Sequence, residues 1–368
     1  MAAHCGGQPA SQGPPNPPTD PFALRAMYKI ADNGGRPSWS PDGRQIAFDR
    51  RDPRSGHFGL WIMNPDGSGQ RPLLGSPVPG FPSRHAGNPS WHPSGRYLAI
   101  NVQKQSYPGA GKPLGDAAAE PGIGFNNDLW IVAADGSGAW LVWENPTPAR
   151  ALEPQTGLYN ARFSNDGRRI AWTHIYSSAV GEWGGFVIRV ADFHADPTPR
   201  IDAASMVELN PVPTCNFKEV HEWSPDDSRL VLSGNWRCQH EYDQDVGLLQ
   251  LSSGQLSDLT PTPADVWTEA AHYHPAGQKI FFMSSEGYPL QYSSKTWWEW
   301  LRTDYWMANP DGTGKRRLTF FNEPGMPGYT GEIVNVAQFS WRRDGAAFAG
   351  VLDRGGSRLE VWVFEFQR

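Results

Sequence analysis

The sequence lacks features that several large classes of protein require. No lysine- or arginine-rich run occurs in its 368 residues, the net charge is −6 and only 19% of residues are charged. A nucleic-acid-binding surface is therefore not expected. No apolar stretch approaches the roughly 20 residues that a membrane-spanning helix needs. Nucleophile-elbow, phosphate-loop, dinucleotide-binding and HExxH motifs are missing, which removes the common sequence signatures of catalysis.

The N-terminal segment has almost no apolar periodicity. Residues 1–22 are rich in proline, glycine and serine, a composition that predicts a disordered tether. Two interpretations of Cys5 stay open: a lipid anchor like that at the mature start of a bacterial lipoprotein, or an incidental cysteine. His4 does not fit a lipobox, and no signal peptide is visible.

Six copies of one pattern repeat along the rest of the chain. Each copy has an aromatic residue, a four-residue turn with proline, aspartate or glycine, and a run rich in Ile, Val, Leu and Phe. The turn residues favour a tight reversal and the apolar run suits a buried strand, so each copy predicts an inner β-hairpin. The copies are PSWSPDGRQIAF from Pro37, PSWHPSGRYLAI from Pro89, ARFSNDGRRIAW from Ala161, HEWSPDDSRLVL from His221, AHYHPAGQKIFF from Ala271 and FSWRRDGAAFAG from Phe339.

A second pattern completes a four-stranded unit after most hairpins. GLWIMNPDGSG from Gly59, DLWIVAADGSG from Asp128 and TDYWMANPDGTG from Thr303 read as a third strand and a turn before a short fourth strand. The aromatic residues of the six hairpins are spaced by 52, 72, 60, 50 and 68 residues. Spacings near 50 with four strands each are typical of propeller blades. The sequence therefore predicts an all-β fold, a six-bladed β-propeller.

The ring is predicted to close through its N-terminal strand. The last blade lacks a fourth strand after EVWVFEF from Glu360, and AMYKIADN from Ala26 precedes the first blade without a blade of its own. If this segment completes the last blade, the ring closes and its exposed sheet edges disappear. One closed ring predicts a single domain over residues 23–368, and a monomer.

These repeats resemble those of TolB-type propellers, the WD40-like or PD40 group, over residues 26–368. The resemblance implies the fold, whereas propellers with such repeats include binding proteins, peptidase gating domains and enzymes. The N-terminal α/β domain of TolB has no counterpart in the sequence. A role in the Tol–Pal envelope system is therefore not implied.

The two ends of the ring are predicted to differ in loop length. Within each blade the A–B and C–D turns share one end, here called the short-turn end, and the B–C and D–A loops share the other, the long-loop end. The longest B–C insertions are residues 103–127, 174–185, 234–245 and 284–304. Long loops on one rigid face usually carry function, so we expect a ligand at the long-loop end.

The long loops are rich in aromatic side chains. Flat aromatic rings suit sugar rings and equally suit the hot spots of protein interfaces. The alternative is that about half of these tryptophans pack the loops onto the ring. The predicted ligand-binding residues are Trp183, Trp236, Trp267, Trp297, Trp298, Trp300, Tyr288 and Arg302.

Histidines are predicted to converge at the same end. His221 and His272 precede the inner-strand aromatic residues of neighbouring blades, and His240 lies beside Arg237 in the blade-four insertion. The three histidines could ligate one divalent ion such as Mn, Ca, Zn or Cu. In an enzyme, His240, His272 and Arg237 would be the catalytic residues. A hydrogen bond at a blade interface is the alternative for any single histidine.

Cys215 and Cys238 flank the blade-four hairpin at equal distances from the centre of its turn, between Asp226 and Asp227. With unbroken antiparallel register they face each other, which predicts a disulfide and an oxidising compartment. A β-bulge would shift the register and leave two buried thiols as the alternative.

Two functions fit this sequence. The first is an exported protein (periplasmic, cell-surface or secreted) that binds a glycan or a partner protein through its long-loop end. The second is a polysaccharide-degrading lyase or hydrolase with a His-held metal at the channel mouth, because the chain is similar in architecture to propeller lyases that degrade oligogalacturonate. In that second function, Arg237 or Arg302 would neutralise a substrate carboxylate.

Overall fold

The fold is a ring of six antiparallel sheets, which confirms the predicted six-bladed propeller. The computed structural model describes residues 20–75, 77–238, 240–261, 265–291, 296–355 and 358–367, without the side chain of Trp298. Residues 1–19 of the predicted tether, including Cys5, lie outside the described residues.

Each blade has the strand order A–B–C–D that the repeats predict. Blade one contains β2 (Gly34–Trp39), β3 (Ile46–Arg51), β4 (Phe58–Met63) and β5 (Arg71–Pro72). Blade two contains β6 (Ala86–Trp91), β7 (Tyr97–Gln103), β8 (Asn127–Ala133) and β9 (Ala139–Trp143). Blade three contains β10 (Gly157–Phe163), β11 (Arg169–Ser177), β12 (Gly185–His194) and two short outer strands, β13 (Arg200–Ile201) and β14 (Val207–Leu209).

The second half of the ring repeats this order. Blade four contains β15 (Lys218–Trp223), β16 (Arg229–Gly234), β17 (Asp245–Gln250) and β18 (Leu256–Asp258). Blade five contains β19 (Thr268–Tyr273), β20 (Ile280–Ser284), β21 (Asp304–Ala308) and β22 (Arg316–Arg317). Blade six contains β23 (Val334–Trp341), β24 (Ala347–Arg354), β25 (Arg358–Phe366) and the N-terminal strand β1 (Leu24–Asp32).

The N-terminal strand closes the ring as predicted. β1 pairs antiparallel with β25 from Leu24 opposite Phe366 to Asp32 opposite Glu360. Blade one then packs on this closing strand. Gly67, at φ +83°, approaches it so closely that an added Cβ would lie 2.4 Å from the Ile30 carbonyl oxygen. Glycine is therefore required at this turn for both its backbone conformation and its size.

Every inner strand carries a β-bulge near its middle. The extra residue bends each strand locally and increases its twist. The register shifts fall between Gly35 and Ser38, Gly87 and Ser90, Tyr159 and Arg162, Val220 and Glu222, Glu269 and His272, and Val336 and Phe339.

The apolar core is divided into clusters that lie mainly between neighbouring blades. One cluster joins Phe48 of blade one to Val361 and Val363 of blade six, and all three side chains are buried. Indole nitrogens add hydrogen bonds across the interfaces, for example from Trp223 to the Arg162 carbonyl oxygen at 2.9 Å. Because burial is shared between blades, each blade depends on its neighbours for stability.

The few helices are short and lie in loops. They are α1 (Pro113–Ala118) and two 3₁₀ turns, Ala203–Ser205 and Trp297–Glu299. Among the described residues, none of these helices has the length and apolarity to span a membrane.

Removing the closing strand tests its role in the ring. A variant without residues 1–33 leaves β25 as an unpaired edge. It also exposes the apolar side chains that share a cluster with Ile30 in the full chain, such as Val361 and Val363. We expect it to aggregate, or to lose more than about 3 kcal/mol in free energy of unfolding by urea denaturation. The control lacks only residues 1–19 and should match the full chain. Equal stability of both truncated forms would contradict closure by β1.

The disulfide gives a second test of stability. Cys215 and Cys238 are bonded and 23 residues apart, so cross-linking restricts the unfolded chain. Replacing both with serine should lower the free energy of unfolding by about 3 kcal/mol, measured by chemical denaturation. The same loss should follow reduction of the wild-type protein. If reduction leaves the denaturation midpoint unchanged, the bond contributes no stability.

Candidate functional site

The long-loop end is built as the sequence predicts. Blade-four and blade-five B–C insertions begin and end at the predicted residues, after Gly234 and Ser284 and before Asp245 and Asp304. In blade three the insertion is shorter than predicted, because β11 continues to Ser177 before β12 begins at Gly185. The structure therefore places the long loops at one end of a rigid ring.

The predicted disulfide is present in this end of blade four. Cys215 lies before β15 and Cys238 after β16, with their Cα atoms 4.7 Å apart. A bulge does occur in the hairpin, between Val220 and Glu222, yet the two cysteines still meet beyond the paired strands. The bond fixes the base of the insertion that carries His240.

Two of the predicted ligand-binding tryptophans lie in the core. Trp267 and Trp300 are only 7% and 5% exposed and share an apolar cluster with Tyr242. Trp183 and Trp297 pack against that cluster and are half-buried, as Trp236 is against the core of blades three and four. Trp267 and Trp300 therefore anchor the loops and do not present a face to a ligand. The side chain of Trp298 lies outside the described residues.

Tyr288 and Arg302 are both half-buried in the blade-five insertion. The Tyr288 hydroxyl donates to Asp304 Oδ2 at 3.0 Å, and the Arg317 guanidinium contacts both groups. Burial and the nearby Asp304 raise the pKa of Tyr288. These contacts show how Tyr288 holds its loop against β21.

The structure separates the three predicted metal-binding histidines into two groups. His221 and His272 lie on neighbouring inner strands, with ring centroids 6.3 Å apart. His240 instead stacks on Tyr242 at 4.8 Å, and its Nε2 lies 3.6 Å from Glu182. Arg237, predicted beside His240 in an enzyme, forms an ion pair with Asp245 at 3.0 Å.

Two carboxylates lie beside His221 in the channel. One ligand atom each from Glu219, His221 and Glu269 lies within 4.8 Å of the other two. Glu219 is four residues before Trp223, and Glu269 is four residues before Tyr273. The two glutamates therefore occupy corresponding positions on adjacent inner strands, which brings them together.

Burial is the main cause of the shifted pKa values in this cluster. Burial and the adjacent Glu269 carboxylate raise the pKa of Glu219 well above its usual range, because a charged pair of carboxylates is unfavourable in the interior. Burial lowers the pKa of both His221 and His272. The imidazoles are therefore neutral near pH 7, which is the form that ligates metals.

Each histidine has one ring nitrogen engaged. His221 Nε2 contacts Ser233 Oγ at 2.7 Å, and His272 Nδ1 contacts Glu222 Oε2 at 3.0 Å. His221 Nδ1 and His272 Nε2 are buried and have no hydrogen-bond partner among the described residues.

A polar network links the cluster across the channel to blades three and six. Asn160 donates to the Glu219 carboxylate, and Gln338 Nε2 donates to Asn160 Oδ1 at 2.9 Å. The buried Arg162 guanidinium donates to Gln338 Oε1 at 2.8 Å and to the His221 carbonyl oxygen at 2.9 Å. The channel is therefore crossed by one continuous hydrogen-bonded group.

Glu219, Asn160, Arg162 and Gln338 are members of this site that were not predicted from the sequence. A usable signal was present, because aligning the six repeats on their aromatic residue puts Glu219 and Glu269 at the same position. The histidines were predicted from their residue type alone. Only the ring brings Gln338 of blade six next to Asn160 of blade three.

No family model matches the sequence, and no curated protein matches it. Solved structures do share its fold. TolB from Acinetobacter baumannii has a TM-score of 0.52 at 13% identity over 89% of this chain, which spans 64% of that protein's length. A putative TolB from Agrobacterium tumefaciens has a TM-score of 0.53 at 14% identity, over 93% of this chain and 97% of that one.

An oligogalacturonate lyase in complex with manganese also shares the fold, with a TM-score of 0.51 at 10% identity over 95% of this chain and 96% of that one. At these identities the likeness concerns the fold alone. The chain is a six-bladed β-propeller. It shares this fold with the two TolB structures, whose repeats its own repeats resemble.

Arg162 offers a test of the channel network. Arg162→Met removes the cation that joins blades three, four and six and leaves buried acceptors without a donor. We expect the free energy of unfolding to fall by about 3 kcal/mol, measured by urea denaturation. Arg168→Met, at an exposed position of the same blade, is the matched control and should change it by less than about 0.5 kcal/mol. A similar small loss for both variants would contradict a structural role for the network.

Proposed function

We propose that this chain is an exported binding protein that docks a partner protein on the long-loop end of its propeller. The proposal rests on where large apolar side chains are exposed. Of nine such side chains among the described residues, six lie at this end: Leu114, Ile123, Leu152, Tyr176, Met326 and Tyr329. The other three, Tyr28, Leu141 and Val207, lie on outer strands.

The degree of exposure supports this assignment. Leu152 is 93% exposed and Leu114 is 79% exposed. Scattered apolar residues are normal on a protein surface, but apolar residues gathered on one face mark sites of association. Burial of one leucine against a partner contributes roughly 1.5–3 kcal/mol.

The loops that carry these leucines are held together before any partner binds. The Tyr107 hydroxyl donates to the Ala151 carbonyl oxygen at 3.0 Å and accepts from Gln155 Nε2 at 2.8 Å. Gln155 also receives a hydrogen bond from Asn126, at 2.6 Å between Asn126 Nδ2 and Gln155 Oε1. An ordered surface lowers the entropic cost of association, so these contacts favour a binding role.

The buried tryptophans bear on the choice of ligand. A glycan site needs exposed aromatic faces, and Trp267 and Trp300 do not offer them. The exposed aliphatic side chains suit a protein surface better than a sugar ring. The disulfide between Cys215 and Cys238 favours a periplasmic, cell-surface or secreted location for this encounter.

The docking surface can be tested with a photo-crosslinking residue at position 152. The protein captured from an envelope extract would be identified by mass spectrometry and purified, and its Kd for the full chain measured by calorimetry. Leu114→Asp combined with Leu152→Asp should weaken that Kd at least about 30-fold, because charge replaces apolar contact. Leu141→Asp, on an outer strand, is the matched control and should leave the Kd unchanged.

Two outcomes would contradict the proposal. Equal weakening by Leu141→Asp would place the interface elsewhere. Binding to a glycan array that is lost with Trp297→Ala, together with no captured protein, would favour the glycan function instead.

A further inference from the structure

The channel cluster has the composition of a metal site. Glu219 and Glu269 offer oxygen ligands and His221 offers nitrogen, a set that suits Mn²⁺ or Zn²⁺. Ligand atoms on one such ion lie no more than about 4.2 Å apart, since each bond is about 2.1 Å long. The observed spread within 4.8 Å therefore needs only small side-chain rotations to close.

The histidine supplies an observation independent of the acidic pair. His221 is fully buried, yet its Nδ1 has no hydrogen-bond partner among the described residues. Its other nitrogen, Nε2, is held by Ser233 Oγ at 2.7 Å. Metal-ligating histidines have this arrangement, in which one nitrogen binds the ion and a hydrogen bond on the other orients the ring. An unpaired buried nitrogen is otherwise costly.

Both carboxylates are also oriented by neighbouring donors. Trp267 Nε1 donates to Glu269 Oε2 at 2.7 Å. Asn160 donates to Glu219, and Gln338 Nε2 lies 3.3 Å from the same Glu219 oxygen. Residues that ligate a metal are usually oriented by hydrogen bonds of this kind. Trp267 therefore has a role in positioning Glu269, which differs from the stacking on a ligand that the sequence predicts.

A divalent cation would be held by groups from two neighbouring blades. The ligand atoms of Glu219, His221 and Glu269 lie within 4.8 Å of one another, and the buried Arg162 guanidinium donates instead to Gln338 and to the His221 carbonyl oxygen. One divalent ion would be contacted by both carboxylates and by a ring nitrogen of His221. It would join blades four and five directly at the channel.

We propose that the channel binds one divalent transition-metal ion through Glu219, His221 and Glu269. His272 lies on the neighbouring inner strand, with its ring centroid 6.3 Å from that of His221, and is not one of the three residues whose ligand atoms lie within 4.8 Å of one another. His240 is not a ligand, because it lies with Glu182 and Tyr242. This metal site does not depend on the docking of a partner protein that is proposed above.

The test uses the full chain after washing with a chelator. Mn²⁺, Zn²⁺, Ca²⁺ and Mg²⁺ are added singly, and binding is followed by calorimetry, metal content by mass spectrometry and thermal melting. We expect about one equivalent of Mn²⁺ or Zn²⁺, with a Tm rise of about 3 to 4 °C at one hundred times the Kd. Ca²⁺ and Mg²⁺ should bind more weakly, because His221 is a poor ligand for them.

Variants assign the ligands. Glu269→Gln should weaken metal binding at least about 100-fold and abolish the Tm rise, while its Tm in chelator stays at or above the wild-type value. Glu219→Gln is the second variant and should behave alike if Glu269→Gln does not fold. His240→Gln is the matched control and should bind within about twofold of wild type.

Three results would overturn the proposal. The first is no stoichiometric ion in the wild-type protein. The second is metal binding that persists in both glutamine variants. The third is loss of binding in His240→Gln, which would restore the three-histidine set that sequence reasoning predicts.

Discussion

Pairing of β1 with β25 is the constraint on which the rest of the structure depends. A propeller blade buries its faces only against its neighbours, so an open ring would expose two apolar faces and a sheet edge. The hydrogen bonds from Leu24 to Asp32 tie the start of the chain to its end. They also place blade six against blade one, where Phe48, Val361 and Val363 share one cluster.

Closure in turn makes the channel a buried environment. All six inner strands carry a bulge, and polar side chains from blades three, four and six meet across the channel. The result is the network from Arg162 through Gln338 and Asn160 to Glu219. Buried polar groups of this kind normally satisfy one another, yet His221 Nδ1 and His272 Nε2 have no hydrogen-bond partner in the part of the chain that the structure describes. Closure of the ring therefore creates both the stability of the propeller and the cluster of polar groups in its channel.

The long-loop end combines this rigid centre with a fixed rim. The disulfide and the buried Trp267 and Trp300 hold the blade-four and blade-five insertions down, while Tyr107 and Gln155 join the loops of blades two and three. The most exposed large apolar side chains at this end are Leu114 and Leu152. An ordered rim favours association with another molecule over large loop motion, because little entropy is left to lose.

The sequence by itself determined the number of blades, the strand order, the closing strand, the cysteine pair and the end that carries the long loops. Each of these follows from local patterns that recur with a fixed period. It also predicted that His221 and His272 lie together, since both precede the same aromatic position. Only the tertiary structure decided that His240 lies elsewhere, that Gln338 meets Asn160, and that Trp267 and Trp300 are buried. Those outcomes depend on how loops fold over the ring and on which residues from distant blades meet at its axis, and no local pattern encodes either.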